Sequence, residues 1–348
     1  MRLLMSTDAV GGVWTYAAEL RAQLEAAGVE VVLATLGPQA PPDPDSPYRP
    51  GRLEWEPEPW EDVQAAGDWL VELAGDAGAD LVHLNGYAHG ALRWPVPVVV
   101  VGHSCVLSWH DAVRGAPAGP EWERYQAAVA AGLHGADAVV APTNAMSTAL
   151  QRHYGLAQRP QVILNGVSPH RGARVDHVDR DRLVLAAGRL WDAAKGLDAL
   201  DAAAAHLTWP VVVAGAAGGR PAAHAELLGP LPRDELRALM GRAAIFAHPA
   251  RYEPFGLVVL EAALAGCALV LGDIDSLREL WDGAAVFVAP GDAAALRDAC
   301  ERLSADDELR GILAGRAGER AWRYDAETMA QAYVRLYEHL CDRESVAA

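Results

Sequence analysis

Short apolar runs rich in β-branched residues alternate along this chain with longer stretches whose apolar positions recur every three or four residues. In the first half the short runs predict strands at residues 2–6, 30–35, 81–84, 96–101, 138–141 and 161–164. Helical periodicity fills residues 14–27, 62–74, 120–134 and 145–154. A second series starts near Arg182, with strands predicted at 183–187, 210–214, 244–247, 268–271 and 285–288. Helices are predicted there at 197–205, 233–241, 256–265 and 293–303, followed by two more at 306–322 and 326–340. Strands apolar on both faces and alternating with helices imply parallel sheets in an α/β architecture. The Pro-rich segment 38–59 reads as a surface loop, and the Gly/His/Arg-rich stretch 165–178 as an interdomain linker. The expected division is 1–168 for a first Rossmann-like domain and 169–324 for a second, with 325–348 a C-terminal helix that caps the second or crosses back to the first.

With 348 residues, 51% of them hydrophobic, the chain can build two domains with substantial cores. Its formal net charge of −17 repels nucleic acid and anionic headgroups, so neither is an expected partner. No apolar stretch approaches membrane-spanning length, no secretory leader pattern opens the chain, and the four cysteines lack metal-ligand spacing. A cytoplasmic protein without metal or cofactor is the expectation. Any anion this acidic chain binds must be held by a local cationic pocket.

The cation composition points to one place. Of 29 lysines and arginines only Lys195 is a lysine. A compact ammonium and a planar guanidinium fork are not interchangeable at a tight anionic site. Lys195 follows the predicted strand 183–187 in Gly188-Arg189-Leu190-Trp191-Asp192-Ala193-Ala194-Lys195-Gly196. A strand, a glycine-bearing loop with two cations and then a helix is an arrangement that binds phosphate. Further on, Pro254 and Gly256 mark the entry to a helix between Glu253 and Glu261. The unpaired N–H groups at such a helix start attract an anion. Two carboxylates beside it would repel that anion unless they face hydroxyls, a contradiction that a nucleotide sugar resolves.

Glu253 and Glu261, eight apart around Pro-Phe-Gly-Leu, resemble the E-x7-E signature of glycosyltransferase family 4, retaining enzymes of GT-B fold. Gly188-Arg189-Leu190 with Lys195-Gly196 resembles that family's diphosphate loop. Asp8-Ala9-Val10-Gly11-Gly12-Val13 resembles its first glycine turn, Asn165-Gly166-Val167 the end of its first domain, and His103 the histidine after its fourth strand. The resemblance implies a GT-B fold, two Rossmann-like domains whose parallel sheets face each other across a central cleft. It also implies a retaining, metal-independent transfer of a sugar from a UDP-, GDP- or ADP-sugar donor to a sugar, lipid-linked or small-molecule acceptor. Arg189 and Lys195 would hold the leaving diphosphate, helped by backbone at Phe255, Gly256, Leu257 and Val258 and by the turn at Gly11 and Gly12. Glu261 would accept the ribose hydroxyls, while Glu253 and His103 would contact the transferred sugar. Leu228-Gly229-Pro230-Leu231 would cradle the base. Arg189 and Lys195 are six apart where the family more often has five, so Trp191–Ala194 must bulge.

Trp109 and His110 are the candidate acceptor-side residues, since sugars stack on aromatic faces. Asp43-Pro44-Asp45 matches a metal-binding DxD only superficially. His83, Asn85, Tyr87 and His89 lack the further ligands of a metal site and read as polar groups lining the cleft. The competing readings are a GT-B-type sugar-nucleotide epimerase and a non-catalytic nucleotide-sugar-binding protein.

Overall fold

The computed structural model describes residues 1–44, 46–168 and 180–347. Asp45 of the DxD match and most of the stretch read as a linker lie outside them. The chain divides into two compact units, Met1–Gly166 with Ala326–Ala348, and Val167–Asp325.

Unit 1 carries seven parallel strands: β1 (Arg2–Asp8), β2 (Glu30–Leu36), β3 (Tyr48–Arg49), β4 (Leu81–Leu84), β5 (Val98–Val101), β6 (Ala138–Ala141) and β7 (Gln161–Val162). Their spatial order is β3-β2-β1-β4-β5-β6-β7. Helices α1 (Gly12–Ala26), α2 (Trp60–Ala77), α3 (Val106–Arg114), α4 (Glu123–Gly135) and α5 (Asn144–Tyr154) connect them. Unit 2 repeats the plan with β8 (Asp181–Ala187), β9 (Val211–Ala214), β10 (Glu226–Gly229), β11 (Ala243–His248), β12 (Ala268–Gly272) and β13 (Val286–Val288), ordered β10-β9-β8-β11-β12-β13. Its helices are α6 (Leu197–Ala204), α7 (Arg233–Arg242), α8 (Leu257–Leu264), α9 (Asp275–Trp281), α10 (Ala293–Ala305) and α11 (Asp307–Ala321). The last helix, α12 (Ala326–Ala347), belongs to unit 1.

Each sheet therefore starts in its middle, winds out to one edge and returns to continue on the other side. The reversal falls between β1 and β4 in unit 1, and between β8 and β11 in unit 2. At such a switch point the loops after neighbouring strands diverge and leave a crevice at the carboxyl ends, where open α/β sheets bind ligands. The packing explains why the strand runs are apolar throughout. Leu183, Leu185 and Ala187 of β8 enter one core while Val184 and Ala186 enter another on the opposite face. Successive side chains of a strand alternate in direction, so a strand covered on both sides must be apolar at every position.

Four elements depart from the sequence expectation. The two-residue β3 lies within the Pro-rich segment expected to be loop. The residues around Trp109 form α3, where a handful of site candidates masked a helical repeat. The segment expected to cradle a base contains the edge strand β10, whose partly exposed residues give no continuous apolar signal. Seven-residue α9 is too short for its period to register.

Candidate active site

The loop after β8 is held by its backbone. Gly188 N donates to the Ala214 carbonyl (3.0 Å) and Leu190 N to that of Ala216 (2.9 Å). Gly215 has φ +133°, and a Cβ there would lie 1.9 Å from the Gly188 oxygen, so only glycine lets these loops meet. The Asp192 carboxylate accepts from Ala194 N (2.9 Å) and caps a 3₁₀ turn over Ala193–Lys195, the turn into which the segment expected to bulge runs. Gly196 then reverses the chain into α6 with φ +70°, where a Cβ would stand 2.7 Å from the Pro249 carbonyl. Arg251 N donates to the Ala194 carbonyl at 2.8 Å. The loops after β8 and β11 are thus stitched together at the switch point.

That stitching brings Lys195 to Glu253. Lys195 Nζ lies 2.8 Å from Glu253 Oε2, with the two side chains 11% and 13% exposed. The same oxygen lies 3.1 Å from Nε2 of buried His248. A carboxylate only accepts, so that ring nitrogen carries the proton. Ser276 Oγ, in the first turn of α9, donates to the Glu253 carbonyl. Burial pushes the Glu253 carboxyl up, but the Lys195 charge and the His248 hydrogen bond outweigh it and hold it well below the ordinary 4.5. A carboxyl depressed on folding stabilises the native state above its unfolded value, and that stability is lost as pH falls below about 4.5. The urea midpoint of wild type should therefore exceed that of Glu253→Gln most near pH 6, with the gap narrowing towards pH 3. A gap independent of pH would contradict the pairing.

Beside the pair begins α8. Gly256, with φ +87°, precedes its first residue; no side chain caps the helix, and Val259 N and Leu260 N both turn back to the Gly256 carbonyl. The N–H groups of Leu257 and Val258 precede the first intrahelical acceptor and remain for a ligand. The Phe255 ring is buried in the core against Tyr324, so only its backbone is open to a ligand. Arg189 makes no ion pair among the described residues. Its guanidinium stacks on the exposed Trp191 ring, 5.5 Å from the centroid. Glu261 Oε1 accepts from Arg233 at 3.0 Å and Arg237 at 3.4 Å.

The two glutamates therefore do not confront the helix start as bare charges, because Lys195 pairs with Glu253, and Arg233 and Arg237 pair with Glu261. Sequence reading missed His248, Ser276, Arg233 and Arg237. Arg233 and Arg237, spaced i and i+4 in α7, carried the one available signal, a pair of cations on one helix face. The Gly229 carbonyl in the segment expected to cradle a base is taken by Gly215 N at 2.8 Å.

In unit 1 the Gly11–Gly12 turn is exposed, follows an Asp8 carboxylate that accepts from Val10 N (2.7 Å), and opens α1 with no side-chain cap. His103 lies after β5, with Nε2 2.8 Å from Asn85 Oδ1. His83 Nε2 approaches that same oxygen at 3.2 Å, and its Nδ1 lies 2.6 Å from Tyr337 Oη of α12. Asn85 Nδ2 donates to the Ser6 carbonyl at 2.7 Å, which fixes the amide with its oxygen towards both rings. Both histidines therefore carry their proton on Nε2, and Tyr337 donates to Nδ1 of His83. Burial lowers His83 to about 4, and burial with the nearby His83 ring lowers His103 to about 3. His83 and His89 were expected as polar groups lining a cleft. His83 is instead fully buried within β4, whereas His89, held by the Val63 carbonyl at 2.9 Å, and Asn85 line a pocket at the carboxyl ends of the unit 1 strands. Trp109 and His110 sit half-buried on α3, edge to face with ring centroids 5.2 Å apart, with Trp122 against His110 and Arg114 over the Trp109 ring. No three His, Cys, Asp or Glu side chains gather as a metal site among the described residues, and no described helix is long and apolar enough to cross a membrane.

Two family profiles match the chain in succession, Glycosyltransferase Family 4 over residues 10–171 and Glycosyl transferases group 1 over residues 181–306. D-inositol 3-phosphate glycosyltransferase of Xylanimonas cellulosilytica is 29% identical, over 97% of this chain and 94% of that protein. Phosphatidyl-myo-inositol mannosyltransferase of Mycolicibacterium smegmatis is 35% identical over 123 residues, 34% of this chain and 32% of that protein, so the chain aligns with about a third of that relative's length. Among solved structures, sucrose-phosphate synthase from Thermosynechococcus elongatus superposes with TM-score 0.78 at 23% identity, covering 98% of this chain and 99% of that one. Anabaena HepE, solved with UDP-glucose, gives TM-score 0.76 at 19% identity, covering 98% and 100%. The shared fold is GT-B.

Proposed function

Because the chain belongs to the GT-B glycosyltransferases of family 4 and group 1, we propose that it moves a sugar from a nucleotide-diphosphate donor to an acceptor hydroxyl, with retention at the anomeric carbon and without a metal ion. The observation that carries this reading is the buried Lys195–Glu253 pair, set at the unit 2 switch point beside the uncapped start of α8. The relative solved with UDP-glucose supports a nucleotide-sugar donor.

In this reading the bond between the anomeric carbon and the diphosphate oxygen breaks as the acceptor oxygen bonds to that carbon on the same face. The acceptor proton passes to the departing phosphate. Charge develops on the leaving oxygen, and the groups that matter are those already aimed at it before reaction. Arg189, Lys195 and the N–H groups of Leu257 and Val258 supply them. Glu253, ionised and fixed by Lys195 and His248, orients the ammonium and presents its remaining oxygen to sugar hydroxyls. Glu261, oriented by Arg233 and Arg237, takes the ribose hydroxyls. In unit 1, His103 with Nε2–H committed to Asn85 offers an unprotonated Nδ1 as acceptor for a sugar hydroxyl.

A panel of UDP-, GDP- and ADP-sugars tests the reading. A donor that binds only the folded protein raises the melting temperature and is slowly hydrolysed or transferred. NMR of the product should show the donor's anomeric configuration, and EDTA should leave the rate unchanged. If no nucleotide sugar shifts the melting temperature, the donor assignment fails.

A further inference from the structure

Of the charged side chains assigned to the donor, all but one have a partner of opposite charge. Lys195 is paired with Glu253, and Glu261 with Arg233 and Arg237. Arg189 has no ion pair or hydrogen bond from its side chain among the described residues. Its Cζ instead lies over the Trp191 ring, 5.5 Å from the centroid.

Trp191 does not serve the core. It is 43% exposed, although its neighbours Leu190 and Asp192 are both buried. The loop fixes it in that place. Leu190 N and Trp191 N both donate to the Ala216 carbonyl, at 2.9 and 3.3 Å, and Arg220 Nη1 donates to the Leu190 carbonyl at 3.3 Å. Gly218, with φ +59°, passes so close that a Cβ on it would stand 2.6 Å from Trp191 Cβ. The glycine-bearing turn after β9 is therefore shaped to seat this one side chain and to keep its indole turned outward.

An indole left in water gains little from burial, and the partner it does have is the guanidinium above it. A cation over an aromatic face is attracted by the negative centre of the ring, without any hydrogen-bond acceptor taking part. A carboxylate would restrain Arg189 as well, but it would occupy the N–H fork and offset the charge. The ring does neither. Arg189 thus keeps its place with its donors unoccupied, the condition required of a planar fork that has to meet a phosphate. Lys195 tolerates a carboxylate partner because its ammonium carries three N–H groups, which Glu253 and a phosphate can share.

We propose that Trp191 is a positioning residue for Arg189: its indole holds the guanidinium by the ring face, in place of a carboxylate, and so delivers an unneutralised cation to the donor's diphosphate. The proposal rests on reading unit 2 as the nucleotide-sugar site.

A double-mutant cycle on full-length protein tests it, with UDP, GDP or ADP, whichever binds wild type most tightly, as the calorimetric probe. Trp191→Leu should weaken that diphosphate about five-fold, the worth of one partly exposed cation–π contact. In an Arg189→Ala background the same substitution should change affinity by less than about two-fold, because the group it positions is gone. Trp191→Phe keeps a ring face and should bind within about two-fold of wild type. The melting temperature of the unliganded protein should barely move in Trp191→Leu, since the side chain is exposed. In spectra of ¹⁵N-arginine-labelled protein, the Arg189 Nε–H signal, identified by its loss in Arg189→Lys, should move downfield in Trp191→Leu as the ring current is removed. Equal weakening in both backgrounds, no weakening in either, or an Arg189 signal indifferent to Trp191→Leu would overturn the proposal. If none of the three diphosphates binds wild type, the donor reading itself has failed. Tight binding without coupling between the two residues removes only the role of Trp191.

Discussion

Lys195→Ala should lower kcat by about 10²–10³-fold, the loss typical when one preorganised donor to a developing oxyanion is removed. The variant also leaves Glu253, 13% exposed, without its ammonium. Removing one partner of a buried pair costs about 3–5 kcal/mol because the other charge is then uncompensated. Melting temperature must therefore be measured alongside kcat, and Lys195→Arg separates the two effects. Arginine keeps the charge and can satisfy Glu253, so stability should largely return. Its wider fork does not fit a turn fixed by the Asp192 cap and by Gly196 against Pro249, so kcat should stay at least about ten-fold below wild type. Wild-type activity in the Arg variant would show that charge alone matters and that the lone lysine has no geometric role.

Replacing Asn85 should be the most damaging change in unit 1. Asn85→Leu strands the Nε2–H group of His103, leaves that of His83 with only the Tyr16 hydroxyl at 3.5 Å, and removes a donor to the Ser6 carbonyl. At about 1–3 kcal/mol for each unpaired buried donor, the urea midpoint should fall steeply. Asn85→Asp is more instructive. In wild type the folded values of about 4 and about 3 lie below the ordinary 6.5. The unfolded chain therefore takes up protons first as pH falls, and the stability from neutral histidines is present above pH 6.5 and lost towards pH 4. A carboxylate at position 85 favours imidazolium, raises both values and repels the Ser6 carbonyl. The acid-side loss between pH 6.5 and 4 should shrink, while kcat/KM, free of a His103 ionisation between pH 5 and 8 in wild type, should acquire one. Histidine ¹⁵N spectra would report the tautomers directly. Nδ1–H on His103 in wild type would refute the assignment.

The two parallel sheets were legible because every strand between helical layers must be apolar on both faces, as β8 and β11 are. Edge elements escaped for the converse reason, since β3 and β10 carry half-exposed residues and leave no apolar run. The Lys195 loop and the Glu253–Glu261 helix start were readable as motifs, each being a local arrangement of glycine, charge and helix entry. Their meeting was not. Lys195 and Glu253 stand 58 positions apart, and only the return of the sheet at its switch point puts the loops side by side. His248 and Ser276 belong to that meeting and were invisible for the same cause. Asn85 illustrates a further limit: no spacing rule reveals that one amide will serve two histidines and be held by a strand 79 residues earlier.

Nucleoside diphosphate binding, measured by calorimetry against the corresponding monophosphate, tests the central claim most directly. With the base chosen from the donor panel, wild type should bind the diphosphate at least about ten-fold more tightly than the monophosphate, and Lys195→Ala should remove that difference while leaving monophosphate binding intact. An undiminished preference for the diphosphate in Lys195→Ala would contradict the assignment of Lys195 to the leaving group.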